Sequence, residues 1–167
     1  MIYGLAMAAF FEETARLVFF KWLEKKRSLE KADALAYGLG HGGLELIFLG
    51  LTSLLNLYIV LSAVQTQNPQ VMQLLSENML KTIQSLSVWQ IYLLGFQLLL
   101  TVWVYQAVRQ KKWIYLLAAY GLHAFFDLAP SLSQVGWLTN PVLVEVILAL
   151  ELVLVAYGTK EIFCKKS

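Results

Sequence analysis

The amino-acid sequence predicts an all-α membrane protein, a multi-pass transmembrane helical bundle of about five spans with a short interfacial helix. Of the 167 residues, 59% are apolar and only 14% are charged, whereas soluble domains carry about 25% charged residues. The mean hydropathy is +0.62. The apolar stretches also lack the two-residue alternation that is typical of barrel strands, so helices are the structure expected to cross the lipid.

The predicted spans are separated by polar joints. A helix needs about 20 residues, with a range of roughly 17 to 25, to cross about 30 Å of hydrocarbon. We treat residues 1–167 as a single integral membrane domain. Its apolar stretches lie at about residues 1–23, 32–60, 88–108, 113–129 and 141–159.

The first span carries charges in its centre. Glu12, Glu13 and Arg16 interrupt the apolar run, and no basic segment precedes it. A cleavable signal peptide has a basic start followed by an uninterrupted apolar region. We therefore expect this helix to remain in the mature chain.

A polar segment, residues 62–87, joins the second and third spans. Within it the apolar residues recur at steps of three or four, which is the spacing of an amphipathic helix. This spacing predicts a short interfacial helix at residues 71–86, with an apolar face made of Met72, Leu75, Met79, Ile83 and Leu86.

The orientation follows from the distribution of Lys and Arg. These residues concentrate in the joint after the first span, in the joint after the third span and in the C-terminal tail, while the two other joints hold only Lys81. Basic joints lie in the cytoplasm by the positive-inside rule. We therefore predict a cell-membrane protein with its N-terminus outside and its C-terminus cytoplasmic.

Net charge and cysteine content exclude several functions. The formal net charge is only +2 and the single cysteine is Cys164, in the polar tail. A nucleic-acid partner is therefore not expected, because such proteins carry a strongly basic surface. One cysteine also excludes a disulfide framework and a cysteine-based zinc site.

Ionisable groups inside the spans are the main functional signal. A charged residue at the bilayer centre costs about 2.5 to 3.5 kcal/mol, so such groups face one another or a wet cavity. We expect Glu151 to pair with Arg16. The ionisable acids and bases within the predicted spans are Glu12, Glu13, Arg16, Glu45, Asp127, Glu145 and Glu151.

The two histidines of the chain also lie in spans, and each has a carboxylate four residues later. A step of four places both side chains on one helix face, with Cβ atoms about 5 to 6 Å apart. The pairs with this step are His41 with Glu45, His123 with Asp127, and Glu12 with Arg16.

Three of these groups are expected at one depth in the membrane. Counting inward from the cytoplasmic ends at 1.5 Å per residue places Glu12, His41 and His123 about 16, 14 and 15 Å deep. Because they belong to three different spans, we predict that they meet near the bilayer centre.

Carboxylates beside imidazoles at one depth are the groups that activate water. A carboxylate takes a proton from water, while a histidine orients the water or donates to an oxyanion. Two other interpretations remain open. His41, His123 and either Glu45 or Asp127 are an acceptable Zn²⁺ ligand set, although no H-E-x-x-H signature is present. A non-catalytic transporter or scaffold with a buried proton relay is the third.

Small residues surround the first histidine. The run from Gly38 to Gly43 formally matches G-x-G-x-x-G, but no strand precedes it, which excludes a dinucleotide site. Gly38 and Gly42 instead form a small-xxx-small pair, which lets a second helix approach closely.

Three motifs carry a resemblance to a known family. Residues 11–16 (FEETAR), 38–45 (GLGHGGLE) and 123–127 (HAFFD) resemble, in that order, the motifs of the YhfC family of intramembrane proteases. That family is similar to the clan of CAAX proteases and bacteriocin-processing proteins, which are glutamic-type intramembrane proteases, and more distantly to the anterior-pharynx-defective subunit of γ-secretase. The resemblance covers nearly the whole chain. Family members usually carry further membrane helices before the acidic motif. The sequence starts almost at that motif, so we expect it to be a fragment, a natural short form or a form that lacks part of the usual enclosure.

The resemblance implies roles for individual residues. It implies that Glu12 or Glu13 is the water-activating base and that His41 and His123 complete the catalytic site. It places Asp127 where the clan often has Asn or Asp. Two supporting residues follow: Arg16, at the arginine position of the acidic motif, and Glu45, which matches the YhfC pattern.

The leading hypothesis is an intramembrane endopeptidase that cuts a peptide bond within or beside the bilayer. Glutamate-activated water and two histidines would do this without a tightly bound cofactor, and a zinc-dependent protease is the alternative. The expected partners are membrane lipid and a peptide or membrane-protein substrate.

Overall fold

The structure, a computed structural model, describes residues 2–66 and 89–164. Within these residues every regular element is a helix and no strand is present. The predicted interfacial helix at residues 71–86 lies outside the described residues. The helices are α1 (Ile2–Glu24), α2 (Lys31–Thr66), α3 (Trp89–Arg109), α4 (Trp113–Phe126), α5 (Leu128–Gln134) and α6 (Pro141–Cys164).

Helix α3 is the centre of the bundle. It packs against α1, α2, α4 and α6, and α1 packs in addition against α4. The short α5 contacts α4 and α6. The side chains of α3 that form the core are almost fully buried, among them Phe96, Leu100, Val104 and Tyr105. Residues on α3 can therefore contact three of the helices that carry predicted site residues.

Local signals in the sequence explain where the helices begin. Before α2, the backbone N–H of Glu30 donates to the Asp33 carboxylate at 2.8 Å. This contact is one half of a capping box. At the start of α6, the Asn140 side chain accepts hydrogen bonds from the backbone N–H groups of Val142 and Leu143 at 3.0 and 3.3 Å. Pro141 then occupies the first helical position, where its missing N–H costs nothing.

The turn between α3 and α4 is tight. Lys111 has a φ of 55°, in the left-handed region, and the N–H of Lys112 donates to the carbonyl of Ala107 at 3.1 Å while that of Lys111 donates to Val108 at 3.2 Å. This hydrogen-bond pattern is a Schellman motif, which ends a helix and reverses the chain. It brings α4 back along α3.

Three of the predicted spans coincide with helices that are long and apolar enough to cross a membrane, namely Lys31–Ser62, Gln90–Arg109 and Pro141–Ile162. Helix α1 has 23 residues but contains three charged side chains in its middle. Helix α4 has 14 residues, about 21 Å at 1.5 Å per residue, so it is shorter than the bilayer core. The predicted helical membrane bundle is confirmed. Among the described residues, α2, α3 and α6 are the helices that are both long and apolar enough to span a membrane.

Two basic joints lie at the same end of the bundle. The Lys21 ammonium, near the end of α1, sits 4.4 Å from the ring centroid of Trp113, the first residue of α4. The joint after α1 and the joint before α4 are therefore neighbours, as the charge distribution predicts. The side of the membrane that this end faces stays a prediction.

Candidate active site

Adjacent acids on α1 lie in different environments. Glu13 and Arg16 are fully buried, whereas the Glu12 side chain is 29% exposed. An Arg16 N–H donates to Oε1 of Glu13, and Nη2 of Arg16 lies 3.6 Å from Oε2 of Glu12. Residues one apart on a helix point about 100° apart, so α1 directs Glu13 into the bundle and leaves Glu12 partly exposed.

His41 on α2 contacts Glu12, the partly exposed acid, directly. Its Nε2 lies 3.1 Å from Oε2 of Glu12, and both side chains are partly exposed. The Tyr37 ring, one turn earlier, stacks on the imidazole at a centroid distance of 5.9 Å and an angle of 12°. Tyr37 also contacts Phe19 of α1 at a centroid distance of 4.6 Å. These ring contacts fix the imidazole beside α1.

The glycines near His41 allow α2 to approach α3 closely. A Cβ at Gly38 would lie 2.9 Å from Cδ2 and 3.1 Å from Cα of Leu98, and a Cβ at Gly42 would lie 3.0 Å from Cβ of Gln97. A larger residue at either position would therefore separate the helices. The predicted role of Gly38 and Gly42 in close packing is confirmed.

His123 on α4 connects the two acids from the other side. Its Nδ1 lies 2.6 Å from Oε1 of Glu13, while its Nε2 lies 3.9 Å from Oε2 of Glu12 and 3.5 Å from Oδ2 of Asp127. Because a carboxylate oxygen accepts hydrogen bonds, Nδ1 is assigned as the protonated nitrogen, and its N–H donates a hydrogen bond to Glu13. The Nε2 atom is then the nitrogen that faces Glu12 and Asp127.

The structure therefore brings together all the predicted site residues. The Glu12 carboxylate lies at their centre, within 3.9 Å of nitrogen atoms from both histidines. Glu45 is reached through a hydrogen bond from Gln97, and Asp127 through its contact with His123. Three helices that are separate in sequence thus meet at one level, as the depth estimate predicts.

One residue of the site was missed from the sequence. Gln97 on α3 is 1% exposed, and its Nε2 donates to Oε2 of Glu45 at 2.7 Å and to Oε2 of Glu12 at 3.2 Å. Its Oε1 accepts a hydrogen bond from Arg16. The available signal was an amide in the middle of the apolar run 91–100 of the third span, which in lipid is expected to face a polar partner.

Glu151 does not join this site. It is 7% exposed, and its Oε2 has no hydrogen-bond partner among the described residues. Arg16 forms its ion pairs with Glu12 and Glu13. Within residues 2–66 and 89–164, the expected pair between Arg16 and Glu151 is not formed; the acids of α1 and the amide of Gln97 occupy the two Nη groups of the guanidinium, and its Nε has no hydrogen-bond partner among the described residues.

Part of the site has the donor set of a metal centre. Glu12, His41 and Glu45 each offer a ligand atom, and these atoms lie within 4.8 Å of one another. One imidazole and two carboxylates are ligands that Zn²⁺ accepts, and an open position for water is usual in catalytic zinc sites. All three side chains are partly exposed. These residues therefore fit a divalent cation.

Together, the helices and the site define an integral membrane protein with a cluster of acids and histidines in its interior. Residues 1–148 match the family model described as YhfC intramembrane metalloprotease, and the chain belongs to this family. It is 32% identical over 170 residues to the uncharacterized membrane protein YhfC of Bacillus subtilis (strain 168). That alignment covers 93% of this chain and 66% of the relative, so the chain spans somewhat less than two thirds of the relative's length. No solved structure matched the chain.

These comparisons bear on two predictions. The predicted resemblance to the YhfC family is confirmed, while its link to the CAAX-protease clan stays a prediction. The expectation of a site without a cofactor is not supported, because the family description names a metalloprotease and the structure contains a possible metal-binding cluster.

Proposed function

We propose that this chain is an intramembrane endopeptidase whose hydrolytic centre is the carboxylate of Glu12. The observation that supports this most strongly is the convergence on Glu12 of His41 Nε2 at 3.1 Å and His123 Nε2 at 3.9 Å. A partly exposed carboxylate between two imidazoles has the groups needed to bind water, accept its proton and return a proton to a leaving amine.

In this proposal Glu12, His41 and Glu45 hold a divalent cation, with Zn²⁺ the first choice. Their ligand atoms lie within 4.8 Å of one another, and the family description names a metalloprotease. A bound cation would polarise the scissile carbonyl and lower the pKa of water. The zinc hypothesis from the sequence had His41 and His123 as ligands, with either Glu45 or Asp127 as the third. The observed cluster instead favours the two acids with His41.

His123 handles the proton in this scheme. Its Nδ1 is held by Glu13 at 2.6 Å, so Nε2 is free to accept a proton from water and later to donate it to the amine that leaves. Asp127, whose Oδ2 lies 3.5 Å from that nitrogen, stabilises the imidazolium that forms. The Glu13 carboxylate, which fixes the tautomer of His123, corresponds to the carboxylate that orients the catalytic histidine of serine hydrolases.

Glu13 and Arg16 support the site without contacting the substrate. Both are fully buried, and Oε1 of Glu13 accepts hydrogen bonds from both Arg16 and His123. The guanidinium of Arg16 neutralises the charge of Glu13. A buried charge without a partner would be strongly destabilising. Of the two adjacent acids that the sequence left as candidate bases, we therefore assign the reacting role to Glu12.

The proposed substrate is a peptide bond within or beside the bilayer, in a peptide or membrane protein. The large residues near the site on α1 and α2, such as Phe11, Leu44 and Phe48, are apolar and exposed. A substrate that reaches Glu12 from this side must itself be apolar over the same depth. Lipid is the other expected partner, with the N-terminus outside and the C-terminus in the cytoplasm.

The experiment is a cleavage assay with purified protein in liposomes that contain a library of single-span reporter peptides. We expect wild-type protein to cleave members of the library and Glu12→Gln to lose at least about 100-fold in rate, because the cation that Glu12 helps to hold supplies several kcal/mol of transition-state stabilisation and each ~1.4 kcal/mol is tenfold in rate. The matched control is Glu145→Gln, an acid on α6 outside the site. Proton flux without any cleavage would instead identify a transporter and contradict the proposal.

A second candidate mechanism keeps the protease but dispenses with the cation. It is favoured by the hydrogen bonds that Glu12 already has with Gln97 at 3.2 Å and His41 at 3.1 Å, which stabilise its charge within the protein. In that mechanism Glu12 itself is the base. Cleavage at the full rate after exhaustive chelation in metal-free buffer would select this mechanism, whereas loss of activity that Zn²⁺ restores would exclude it.

A further inference from the structure

Gln97 connects three charged side chains of the site. Its amide donates to Glu45 at 2.7 Å and to Glu12 at 3.2 Å, and its carbonyl oxygen accepts from Arg16. It lies on the central helix α3 and is 1% exposed. Glu12, Glu45 and Arg16 are therefore held by one buried amide that carries no charge of its own.

The orientation of this amide is fixed by the chemistry of its partners. A guanidinium only donates hydrogen bonds and an ionised carboxylate only accepts them. Only one of the two amide orientations satisfies all three groups, with Oε1 toward Arg16 and Nε2 toward the acids. Arg16 therefore determines that both N–H donors of Gln97 point at Glu12 and Glu45.

Packing restricts the stem of the side chain as well. The backbone of Gly42 on α2 lies so close that a Cβ there would be 3.0 Å from Cβ and 3.6 Å from Cγ of Gln97. Close packing against a buried side chain limits the rotamers that it can adopt. The amide is thus held in place by helix contact in addition to its hydrogen bonds.

We propose that Gln97 is a positioning residue that holds the carboxylates of Glu12 and Glu45 at the separation needed to bind a cation. The inference rests on the proposed function, because it assigns to Gln97 the support of the same carboxylates. The negative charges of Glu12 and Glu45 repel each other because the two carboxylates are close together. Without a hydrogen-bond donor between them, the two side chains would turn away from each other. Hydrogen bonds from neighbouring residues to metal-binding carboxylates commonly set the affinity of a site, by about 10- to 100-fold.

The first test measures cation affinity in the purified full chain. Co²⁺ serves as the probe, because its visible absorption reports ligands around the ion. We expect Gln97→Met, which keeps roughly the same volume, to weaken Co²⁺ binding about 10- to 100-fold. Gln106→Met is the matched control, since Gln106 is also buried on α3 but bonds to Gln110 and Ile162 instead. Equal affinity in wild type and Gln97→Met would overturn the inference.

The second test does not depend on a cation or on activity. A double-mutant cycle compares the melting temperatures of Gln97→Met, Glu45→Met and the double variant. If the amide holds Glu45, the double variant loses less than the sum of the single losses, because the shared hydrogen bond is removed only once. The combination of Gln106→Met with Glu45→Met should be additive.

The two tests separate the inference from the proposed function. Additive losses in the Gln97 and Glu45 cycle would overturn the role of Gln97 even if the protein is an active protease. A wild-type chain that binds no Co²⁺ would contradict the cation site of the proposed function, and the cycle would then decide on Gln97 alone.

Discussion

Neighbouring acids on α1 should respond in opposite ways to the same isosteric change. Glu12→Gln removes a partly exposed carboxylate at the centre of the site, whereas Glu13→Gln removes one that is fully buried against Arg16 and His123. We expect Glu12→Gln to abolish cleavage while the fold stays intact. We expect Glu13→Gln to destabilise the fold while much of the activity remains below its melting temperature.

The magnitudes follow from burial. Breaking a buried ion pair costs about 3 to 5 kcal/mol. A chain of this size loses roughly 2 to 4 °C per kcal/mol, so Glu13→Gln should melt about 6 to 20 °C lower. Oε2 of Glu13 has no partner among the described residues. A glutamine can therefore turn its NH₂ group to that side and keep its oxygen toward His123, and we expect activity to fall less than about 10-fold, below the range for a lost general base.

For Glu12→Gln we expect the opposite result, a small loss of stability and a large loss of activity. Its side chain is 29% exposed, and partly exposed ion pairs contribute about 1 kcal/mol or less. The melting temperature should therefore change by no more than about 4 °C. The rate should fall at least about 100-fold, because the variant removes a ligand of the proposed cation and, in the mechanism without a cation, the base itself.

The assay combines thermal unfolding in detergent with reporter cleavage in liposomes at a temperature where both variants are folded. Size-exclusion chromatography controls for aggregation. A folded Glu13→Gln variant without activity, next to a Glu12→Gln variant that cleaves at the wild-type rate, would refute the assignment and give the reacting role to Glu13.

Two further predictions concern packing and proton handling. Gly38→Ala should destabilise the protein by about 1 to 3 kcal/mol, the usual cost of overpacking, because the new Cβ would lie 2.9 Å from Leu98. Gly40→Ala is the control and should not lower stability, because nothing lies within 4 Å of a Cβ at that position. Equal melting temperatures for the two variants would contradict the close packing of α2 on α3. Asp127→Asn should lower kcat more than about 10-fold with little change in KM, because the Asp127 carboxylate stabilises His123 only when the imidazole is charged during the reaction. An unchanged kcat would remove Asp127 from the mechanism.

Much of the fold could be predicted because helix geometry is regular. A fixed rise of 1.5 Å per residue placed Glu12, His41 and His123 at one depth, and the structure places a nitrogen of each histidine within 3.9 Å of the Glu12 carboxylate. The step of four residues likewise identified His123 and Asp127 as neighbours. These relations depend only on positions along each helix and not on how the helices pack.

Relations that depend on packing could not be predicted. The pattern of the first motif does not reveal which of Glu12 and Glu13 is buried, because that depends on how α1 rotates against α3 and α4. Gln97 was missed because an uncharged amide in an apolar stretch is a weak signal, and only its three charged partners reveal its role. The expected partner of Arg16, Glu151, was likewise replaced by groups on α1 and α3.

The short α5 shows a different limit. Residues 128 and 129 were assigned to the preceding span because they are apolar, yet α4 ends at Phe126 and a new helix begins at Leu128. Pro130 lies in the first turn of α5, where proline is tolerated because the N–H groups there lack helical partners. Apolar character predicted the span but not the break beside Asp127.

The most direct test of the site is elemental analysis of the purified full chain, prepared without chelators. If Glu12, His41 and Glu45 form a cation site, the wild-type protein will contain a divalent metal in an amount stoichiometric with the chain. His41→Gln will lose this metal and Glu145→Gln will retain it. Wild-type protein that is free of metal, takes up none from solution and still cleaves its reporter would contradict the cation site.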